Sequence, residues 1–245
     1  MQPDQLKIAM WSGPRNISTA LMRAWENRED CAVWDEPLYG YYLDATGIPH
    51  PGAAEVIASQ GTDAAAIIAA CTGDVPDGKA IFYQKHMTLH LLPQLERGWL
   101  SSLTNCFLIR EPEAVIASYA AVRSDATLAD IGFVQQAELF EQVRAMTGEI
   151  PLVIDSREFL LDPESMLRAI CAHLGIDYSP RMLNWPAGPR DSDGVWARYW
   201  YDSVWNSTGF APYRDRDYDL PAKDREIASA ARPYYESLYR HRLRP

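Results

Sequence analysis

The feature of this chain that most limits its fold is the alternation of short apolar segments with amphipathic ones. Five segments rich in strand-forming residues occur in order: LKIAMW, CAVWDEP, KAIFYQKH, NCFLIREP and PLVIDS. Strands that alternate with helices predict a parallel sheet covered on both faces. We therefore expect an α/β fold, a three-layer sandwich with a central parallel sheet flanked by helices. Ligands of such sheets bind beyond the C-terminal ends of the strands.

Helical segments are predicted between these strands from the spacing of apolar residues. PEAVIASYAAVR has Pro112 at the first helical position and Val122 on its apolar face. DPESMLRAICAHLGI has Asp162 as N-cap and Gly175 as stop signal. The aromatic segment YGYYLDATGIPHPG is predicted to be a loop. Helices are expected over residues 18–28, 53–59, 64–71, 88–97, 112–123, 133–146 and 162–175, and in a final helical pair that ends near Leu243.

The domain organisation is predicted from length and from the aromatic residues near the C-terminus. A chain of 245 residues fits one large domain or two small ones, at about 150 residues per domain. Four of the eight tryptophans lie between Trp185 and Trp205. We expect a single domain, residues 1–245, in which residues 185–245 cover the sheet.

The charge of the chain limits its partners. The formal net charge is −10, which argues against general binding to nucleic acids or anionic membranes, because both need a cationic surface. No apolar run approaches the roughly 18 residues of a membrane helix, and no leader is evident, so a cytoplasmic location is expected. The four cysteines lack metal-ligand spacing and are expected to be buried free thiols. The oligomeric state cannot be predicted.

The segment KIAMWSGPRNISTALMRAWENR passes from the first strand through a Gly-Pro-Arg-Asn turn into a helix. Such a turn suits an anion, because unpaired backbone N–H groups and the positive end of the helix dipole point the same way. Arg15 adds a positive charge, and Asn16, Ser18 and Thr19 add neutral donors. The second glycine and the Gly-Lys pair of a Walker loop are missing. The segment therefore predicts a phosphate site of another kind, or an ordinary turn capped by Ser18.

A second turn follows the fourth strand, in FLIREPEAVIASY. The strand ends in Arg110, and Ser118 lies two turns into the next helix. Nucleotide kinases and GTPases hold Mg²⁺ partly with an Asp at the end of a core strand, whereas an arginine repels a cation and attracts an anion. In the alternative, Arg110 simply pairs with Glu111 or Glu113.

Together the two turns resemble those of sulfotransferases that use 3′-phosphoadenosine 5′-phosphosulfate (PAPS). The 3′-phosphate site of that family has the pattern R-x-P-x-x-x-x-x-S-Y, which is matched by Arg110, Pro112, Ser118 and Tyr119. Its 5′-phosphosulfate loop is of the type Gly-Pro-Arg/Lys-Ser-Gly-Thr-Thr. The residues at those positions here are Gly13, Pro14, Arg15, Asn16, Ile17, Ser18 and Thr19.

The resemblance implies a fold like that of P-loop nucleotide hydrolases and the transfer of a sulfuryl group from PAPS to an acceptor, which leaves 3′-phosphoadenosine 5′-phosphate. It implies that Arg15, Ser18 and Thr19, with backbone N–H groups, bind the 5′-phosphosulfate. It also implies that Arg110 and Ser118 bind the 3′-phosphate. No metal is expected, because arginine and the helix dipole supply the positive field.

The chain departs from the family pattern at two places. Ile17 replaces the small loop glycine, which would narrow or reshape the 5′ pocket. A late R-K-G-x-x-G segment, which helps to cover the 3′-phosphate in some members, has no clear copy here. Arg190 and Arg198 are candidate substitutes.

Two residues are candidates for the catalytic base that removes the acceptor's proton. Glu36 follows the second strand, where carbohydrate-type and tyrosyl-protein sulfotransferases carry a catalytic Glu. His86 follows the third strand, where small-molecule enzymes carry a Lys-x-His pattern, although Lys85 and His86 are adjacent here. We prefer Glu36, because a partly buried carboxylate can act as a base near neutral pH. The acceptor is expected to be a small molecule with a hydroxyl or amine.

Two other functions stay open on sequence grounds. One is a P-loop-like kinase or nucleotide hydrolase with a degenerate loop, which would need Mg²⁺ and a carboxylate such as Asp35 or Glu36 near that loop. The other is a non-catalytic nucleotide-binding protein of the same fold. Binding without transfer to any acceptor would distinguish this protein from an enzyme.

Overall fold

The structure is a computed structural model that describes residues 5–120 and 126–245. All five predicted strands are present. Four are largely buried, because parallel strands are covered on both faces, whereas the second strand, at one edge of the sheet, is buried only at its two end residues. The predicted position of Val122 lies outside the described residues. The strands are β1 (Leu6–Ser12), β2 (Cys31–Asp35), β3 (Ile81–Met87), β4 (Thr104–Ile109) and β5 (Leu152–Asp155).

The strands form one parallel sheet in the order β2-β3-β1-β4-β5, flanked by helices, which confirms the predicted α/β class. In the pairing of β2 with β3, Asp35 is the register partner of Lys85. Because paired residues of neighbouring strands project to the same face of a sheet, this register brings an acid and a base together. Strand β3 is unusual in burying three polar residues in a row: Gln84, Lys85 and His86.

The helices begin mostly where sequence signals place them. Asp63 accepts hydrogen bonds from the N–H groups of Ala65 and Ala66 at the start of one helix, and Asp162 accepts one from Ser165 at the start of another. The helices of the described residues are α1 (Ser18–Glu26), α2 (Tyr39–Thr46), α3 (Ala53–Gln60), α4 (Ala64–Thr72), α5 (Pro112–Ala120), α6 (Phe133–Thr147), α7 (Ser156–Leu161), α8 (Pro163–His173), α9 (Ala197–Trp200), α10 (Asp202–Trp205) and α11 (Ala222–Tyr239).

Internal contacts divide the chain into two compact units. The first contains Met1–Met10, Ser18–Asn105 and Ser179–Phe210. In this unit α1 packs on β2 and β3, and α2 packs on α3. Tryptophan and tyrosine side chains of the segment around α9, among them Trp196 and Tyr201, are buried against α2.

The second unit contains Trp11–Ile17, Cys106–Tyr178 and Ala211–Pro245. In this unit α11 packs on α5, α6 and β5. The segment 185–245, predicted as a single cover, is therefore shared between the two units. The single-domain organisation stays a prediction.

Three local predictions are wrong. The helix expected near residues 88–97 is only a 3₁₀ turn, Thr88–His90, because Pro93 disfavours helical backbone in the residue before it. Helix α2 lies where a loop was expected. Gly40 indicated a turn, but it allows close packing inside the helix, because a Cβ there would lie 2.7 Å from the Gly61 carbonyl oxygen. The expected final helical pair is the single helix α11, which continues through Pro233.

Two further observations bear on the sequence predictions. Cys31, Cys71, Cys106 and Cys171 are buried and form no disulfide, as expected, and burial raises the pKa of the first three thiols to about 12. Within residues 5–120 and 126–245, no helix combines the length and the apolar character needed to cross a membrane.

Candidate active site

The turn between β1 and α1 depends on a glycine at its start. Gly13 is buried, and a Cβ added to it would lie 2.9 Å from the carbonyl oxygen of Ile131. Contacts under 3.0 Å are not tolerated by a real Cβ, so only glycine fits without displacing the neighbouring backbone. Pro14 and Ile17 are half-buried in the same turn, and α1 begins at Ser18.

Arg15 projects from this turn with left-handed backbone, φ +58°, a conformation that is uncommon for residues other than glycine. Its Nε donates a hydrogen bond of 2.9 Å to the Oγ of Ser118 on α5. The neighbouring Asn16 ties the turn down, because its Nδ2 donates to the Leu108 carbonyl at 3.1 Å and its Oδ1 accepts from the Ile17 N–H at 2.9 Å. The turn is thus attached to β4 and α5.

Arg110, at the end of β4, donates from Nη1 to the carbonyl oxygen of Arg15 at 2.6 Å. The two guanidiniums are close enough to interact: partial burial and the charge of Arg110 lower the pKa of Arg15. Among the described residues, neither arginine pairs with a carboxylate, and Glu113 pairs with Arg232 instead. Two positive charges and the Ser118 hydroxyl therefore converge here, a donor set that suits an anion.

The remaining residues of the predicted 5′ loop begin α1. Ser18 is buried and Thr19 is half-buried. The two proposed substitutes for the missing late motif have other partners: Arg190 pairs with Glu26 at 3.2 Å, and Arg198 pairs with Glu55. Their role at a 3′-phosphate stays a prediction.

Glu36 lies directly after β2, also with left-handed backbone, φ +44°. Its Oε1 accepts a short hydrogen bond from the Nζ of Lys85. Its Oε2 lies 3.8 Å from Nδ1 of His90. Gln60 supports the backbone here, because its Nε2 donates to the Glu36 carbonyl at 3.0 Å. The carboxylate is thus held at one oxygen and is 9% exposed as a residue.

Lys85 is the centre of a buried polar network. Besides Glu36 it donates to Oδ1 of Asp35 at 2.8 Å and to the hydroxyl of Tyr201 at 2.9 Å. Burial alone would lower the pKa of Lys85, but the carboxylates of Asp35 and Glu36 outweigh it and hold that pKa well above the usual range. The lysine is therefore a permanent cation beside two acids.

Asp35 and Tyr201 complete this network. The Tyr201 hydroxyl donates to Oδ2 of Asp35 at 2.6 Å and accepts a bond from Nε1 of Trp196 at 3.3 Å. Burial raises the pKa of Asp35, and burial together with the Asp35 charge raises that of Tyr201, so the phenol keeps its proton. Asp35, Lys85 and Tyr201 are each under 5% exposed.

His86, the second candidate base, is 1% exposed and has a ring nitrogen 3.1 Å from Oε1 of Gln84. Burial, aided by the charge of Lys85 and the nearby His90, lowers its pKa to about 3. A histidine with this pKa is neutral near pH 7 but is a weak base. The geometry thus favours Glu36, and the choice between the two residues stays a prediction.

His90 lies beside Glu36 and is buried among aromatic side chains. Its ring stacks between Tyr39, at a centroid distance of 4.5 Å, and Tyr42, at 4.8 Å. Burial and the charge of Lys85 lower its pKa well below the usual range, so the ring is neutral. Its buried Nδ1 makes no hydrogen bond within the described part of the chain and faces Glu36.

Lys85, Asp35 and Tyr201 were not predicted to act together. A signal existed for the first two: charged residues at the ends of two otherwise apolar strands in VWDEP and FYQKH. Tyr201 had no such signal, because it is one of many aromatic residues in its segment.

Among residues 5–120 and 126–245, no group of three His, Cys, Asp or Glu side chains is arranged to hold a metal ion.

Comparison with known proteins identifies the family to which this chain belongs. A model of the sulfotransferase domain family matches residues 6–242, almost the whole chain. The chain belongs to that family, which confirms the resemblance seen in the two turns. Family and fold together support a transferase activity that moves a sulfuryl group.

Two relatives from Arabidopsis thaliana have names that do not mention a sulfotransferase. Branched-chain-amino-acid aminotransferase-like proteins 1 and 2 are 34% and 30% identical to this chain over 237 residues, 96% of its length. The match covers 42% and 41% of those proteins, so the chain spans about two fifths of the curated relatives it matches.

Solved structures show the same fold at low sequence identity. The sulfotransferase domain from the curacin biosynthetic pathway has 14% identity and a TM-score of 0.56, covering 93% of this chain and 98% of that one. A sulfotransferase from Alicyclobacillus acidocaldarius has 12% identity and a TM-score of 0.53, covering 98% and 97%.

Proposed function

We propose that this protein is a PAPS-dependent sulfotransferase that acts on a hydroxyl or amine of a small acceptor and needs no metal ion. The observation that carries the proposal is the meeting of Arg15, Arg110 and Ser118, where no carboxylate of the described residues pairs with either arginine. Uncompensated guanidiniums beside a hydroxyl suit a ligand with several phosphate charges. Family membership supports the sulfuryl transfer.

In this proposal each phosphate end of the donor has its own residues. Arg15, the backbone N–H groups of the turn from Gly13, and the hydroxyls of Ser18 and Thr19 would hold the 5′-phosphosulfate. Arg110 and Ser118 would hold the 3′-phosphate. When bound, PAPS would supply the sulfuryl group to the acceptor oxygen or nitrogen, and the bridging oxygen would leave as part of 3′-phosphoadenosine 5′-phosphate.

Glu36 is the proposed base. Its Oε1 is occupied by Lys85, whereas Oε2 accepts no hydrogen bond from the described residues. Oε2 is therefore the atom at which the acceptor's proton would be held.

Calorimetric titration with 3′-phosphoadenosine 5′-phosphate, and separately with ATP and Mg²⁺, tests the donor. We expect metal-independent binding of the bisphosphate, weakened about 10- to 100-fold in Arg110→Ala by loss of a charged hydrogen-bond donor. Arg144→Ala, which changes an exposed arginine on α6, is the matched control and should bind normally. Preference for ATP with Mg²⁺ would overturn the proposal in favour of a kinase or hydrolase.

Transfer itself is tested by a screen of small hydroxyl and amine acceptors with PAPS. Product formation in the presence of a chelator is the expected result. Tight binding of the bisphosphate without transfer to any acceptor would instead indicate a non-catalytic nucleotide-binding protein.

A further inference from the structure

The Lys85 ammonium has no free donor. An ammonium carries three N–H groups, and three oxygens surround this one: Oδ1 of Asp35, Oε1 of Glu36 and the hydroxyl of Tyr201. Lys85 is 1% exposed, so water cannot replace any of these partners. The direction of each N–H group is therefore set by the positions of the three oxygens.

The Tyr201 hydroxyl has two roles in this arrangement. It accepts from Lys85 at 2.9 Å and donates to Oδ2 of Asp35 at 2.6 Å, which closes a ring of hydrogen bonds through Asp35 and Lys85. Trp196, in the same segment, donates to the same hydroxyl. This ring holds two of the three N–H groups of Lys85 away from Glu36, and one of the two is held by the Tyr201 hydroxyl.

The consequence appears at Glu36. Lys85 binds Oε1, and Oε2 accepts no hydrogen bond from residues 5–120 and 126–245, where the neutral His90 ring lies 3.8 Å away. An ammonium released from Tyr201 could turn a second N–H group toward Oε2. An N–H group bonded to Oε2 would occupy a lone pair that can receive the acceptor's proton, and it would make the carboxylate a weaker base.

We propose that Tyr201 is a positioning residue for Glu36: its hydroxyl orients the Lys85 ammonium so that Oε1 is held and Oε2 stays open to take the acceptor's proton. Tyr201 touches no reacting atom in this role and acts through Lys85 and Asp35. The inference rests on the proposed function, in which Glu36 is the base.

Tyr201→Phe removes only the hydroxyl, and Tyr199→Phe is its matched control, since Tyr199 lies in α9 of the same segment and is 41% exposed. The first readout is proton exchange of the Lys85 ammonium, followed by ¹⁵N NMR of lysine-labelled protein. The chain has four lysines, Lys7, Lys79, Lys85 and Lys223, so Lys85→Arg identifies the signal by its loss.

Exchange is expected to be slow in the wild type and in Tyr199→Phe, and about tenfold faster in Tyr201→Phe, where one ammonium donor loses its partner. The second readout is kinetic: kcat of Tyr201→Phe should fall about tenfold with little change in KM for PAPS. Unchanged exchange, or faster exchange with unchanged kcat, overturns the inference.

Asp35→Asn replaces Tyr201→Phe if the latter does not fold. This substitution sets an amide donor against the Tyr201 hydroxyl and should change both readouts in the same direction. Glu36→Gln separates a failure of the proposed function from a failure of the inference. Full turnover in Glu36→Gln overturns Glu36 as the proposed base. Loss of turnover in Glu36→Gln together with normal turnover in Tyr201→Phe overturns only the inference. The exchange measurement needs no turnover and tests the orientation of Lys85 directly.

Discussion

Arg15 and Ser118 are 103 positions apart in the chain, and the Nε of Arg15 donates a hydrogen bond of 2.9 Å to the Oγ of Ser118. The family resemblance assigns these residues to opposite ends of the donor, the 5′-phosphosulfate and the 3′-phosphate. Arg110 reinforces the connection, because it donates to the Arg15 carbonyl. The two turns are therefore connected by hydrogen bonds, and a substitution in one turn should alter ligand binding at the other.

This coupling predicts the behaviour of Ser118→Ala. The variant should bind 3′-phosphoadenosine 5′-phosphate about 3- to 10-fold more weakly, since it loses a ligand hydrogen bond and the partner of Arg15. Combined with Arg15→Ala, it should cost less than the sum of the two single changes, because the residues share an interaction. Calorimetry measures both effects, and Ser229→Ala, at an exposed position of α11, is the control. Strict additivity would show that the Arg15 to Ser118 bond has no effect on binding.

A second prediction concerns the catalytic base. Glu36→Ala should reduce turnover at least about a hundredfold, the lower range for general base catalysis, and should leave bisphosphate affinity unchanged. His86→Asn should have a smaller effect on turnover, because a ring with a pKa of about 3 is a weak base. Steady-state kinetics and calorimetry separate the two effects. Normal turnover in Glu36→Ala with a large loss in His86→Asn would assign the role to His86.

A third prediction concerns the first turn. Gly13→Ala places a Cβ 2.9 Å from the Ile131 carbonyl oxygen, so the backbone must shift, at a cost of about 1–3 kcal/mol in the free energy of unfolding. Bisphosphate binding should weaken as well, because the turn carries Arg15. Urea unfolding and calorimetry test this, and Gly98→Ala is the control, since a Cβ at Gly98 meets nothing within 4 Å. Equal stability of the two variants would contradict the steric argument.

A fourth prediction concerns acid stability. The folded state holds His86 and His90 neutral, with pKa values lowered from 6.5, to about 3 for His86 and well below 6.5 for His90. Because both pKa values are depressed on folding, this contribution to stability is complete above pH 6.5 and is lost as the pH falls below it. As the pH falls below 6.5, each histidine lowers the free energy of unfolding by up to about 1.4 kcal/mol per pH unit.

His90→Phe keeps an aromatic ring between Tyr39 and Tyr42 but cannot titrate. Between pH 7 and pH 5 its free energy of unfolding should therefore fall by about 2 kcal/mol less than that of the wild type. His173→Gln, on the exposed face of α8, should keep the acid sensitivity of the wild type. Urea unfolding at several pH values gives the comparison, and parallel curves for His90→Phe and the wild type would refute a buried neutral His90.

The errors in the sequence predictions have a common cause. Gly40 indicated a turn, yet it lies inside α2, where the missing side chain lets the end of α3 approach. Pro233 indicated a helix end, yet α11 continues through it because α11 is packed on α5 and α6. Local propensity is a weak signal where tertiary contacts supply most of the stability of an element.

The sequence by itself determined the α/β class, the five strands and the two turns with their basic residues, because periodicity and turn chemistry are local properties of the chain. Only the tertiary structure decided which of those residues meet. It bonded Arg15 to Ser118, and it enclosed Lys85 between Asp35, Glu36 and Tyr201, residues from β2, from the turn after β2 and from the end of α9. The register of Asp35 against Lys85 and the burial that tunes their pKa values depend on packing between distant segments, which no local pattern records.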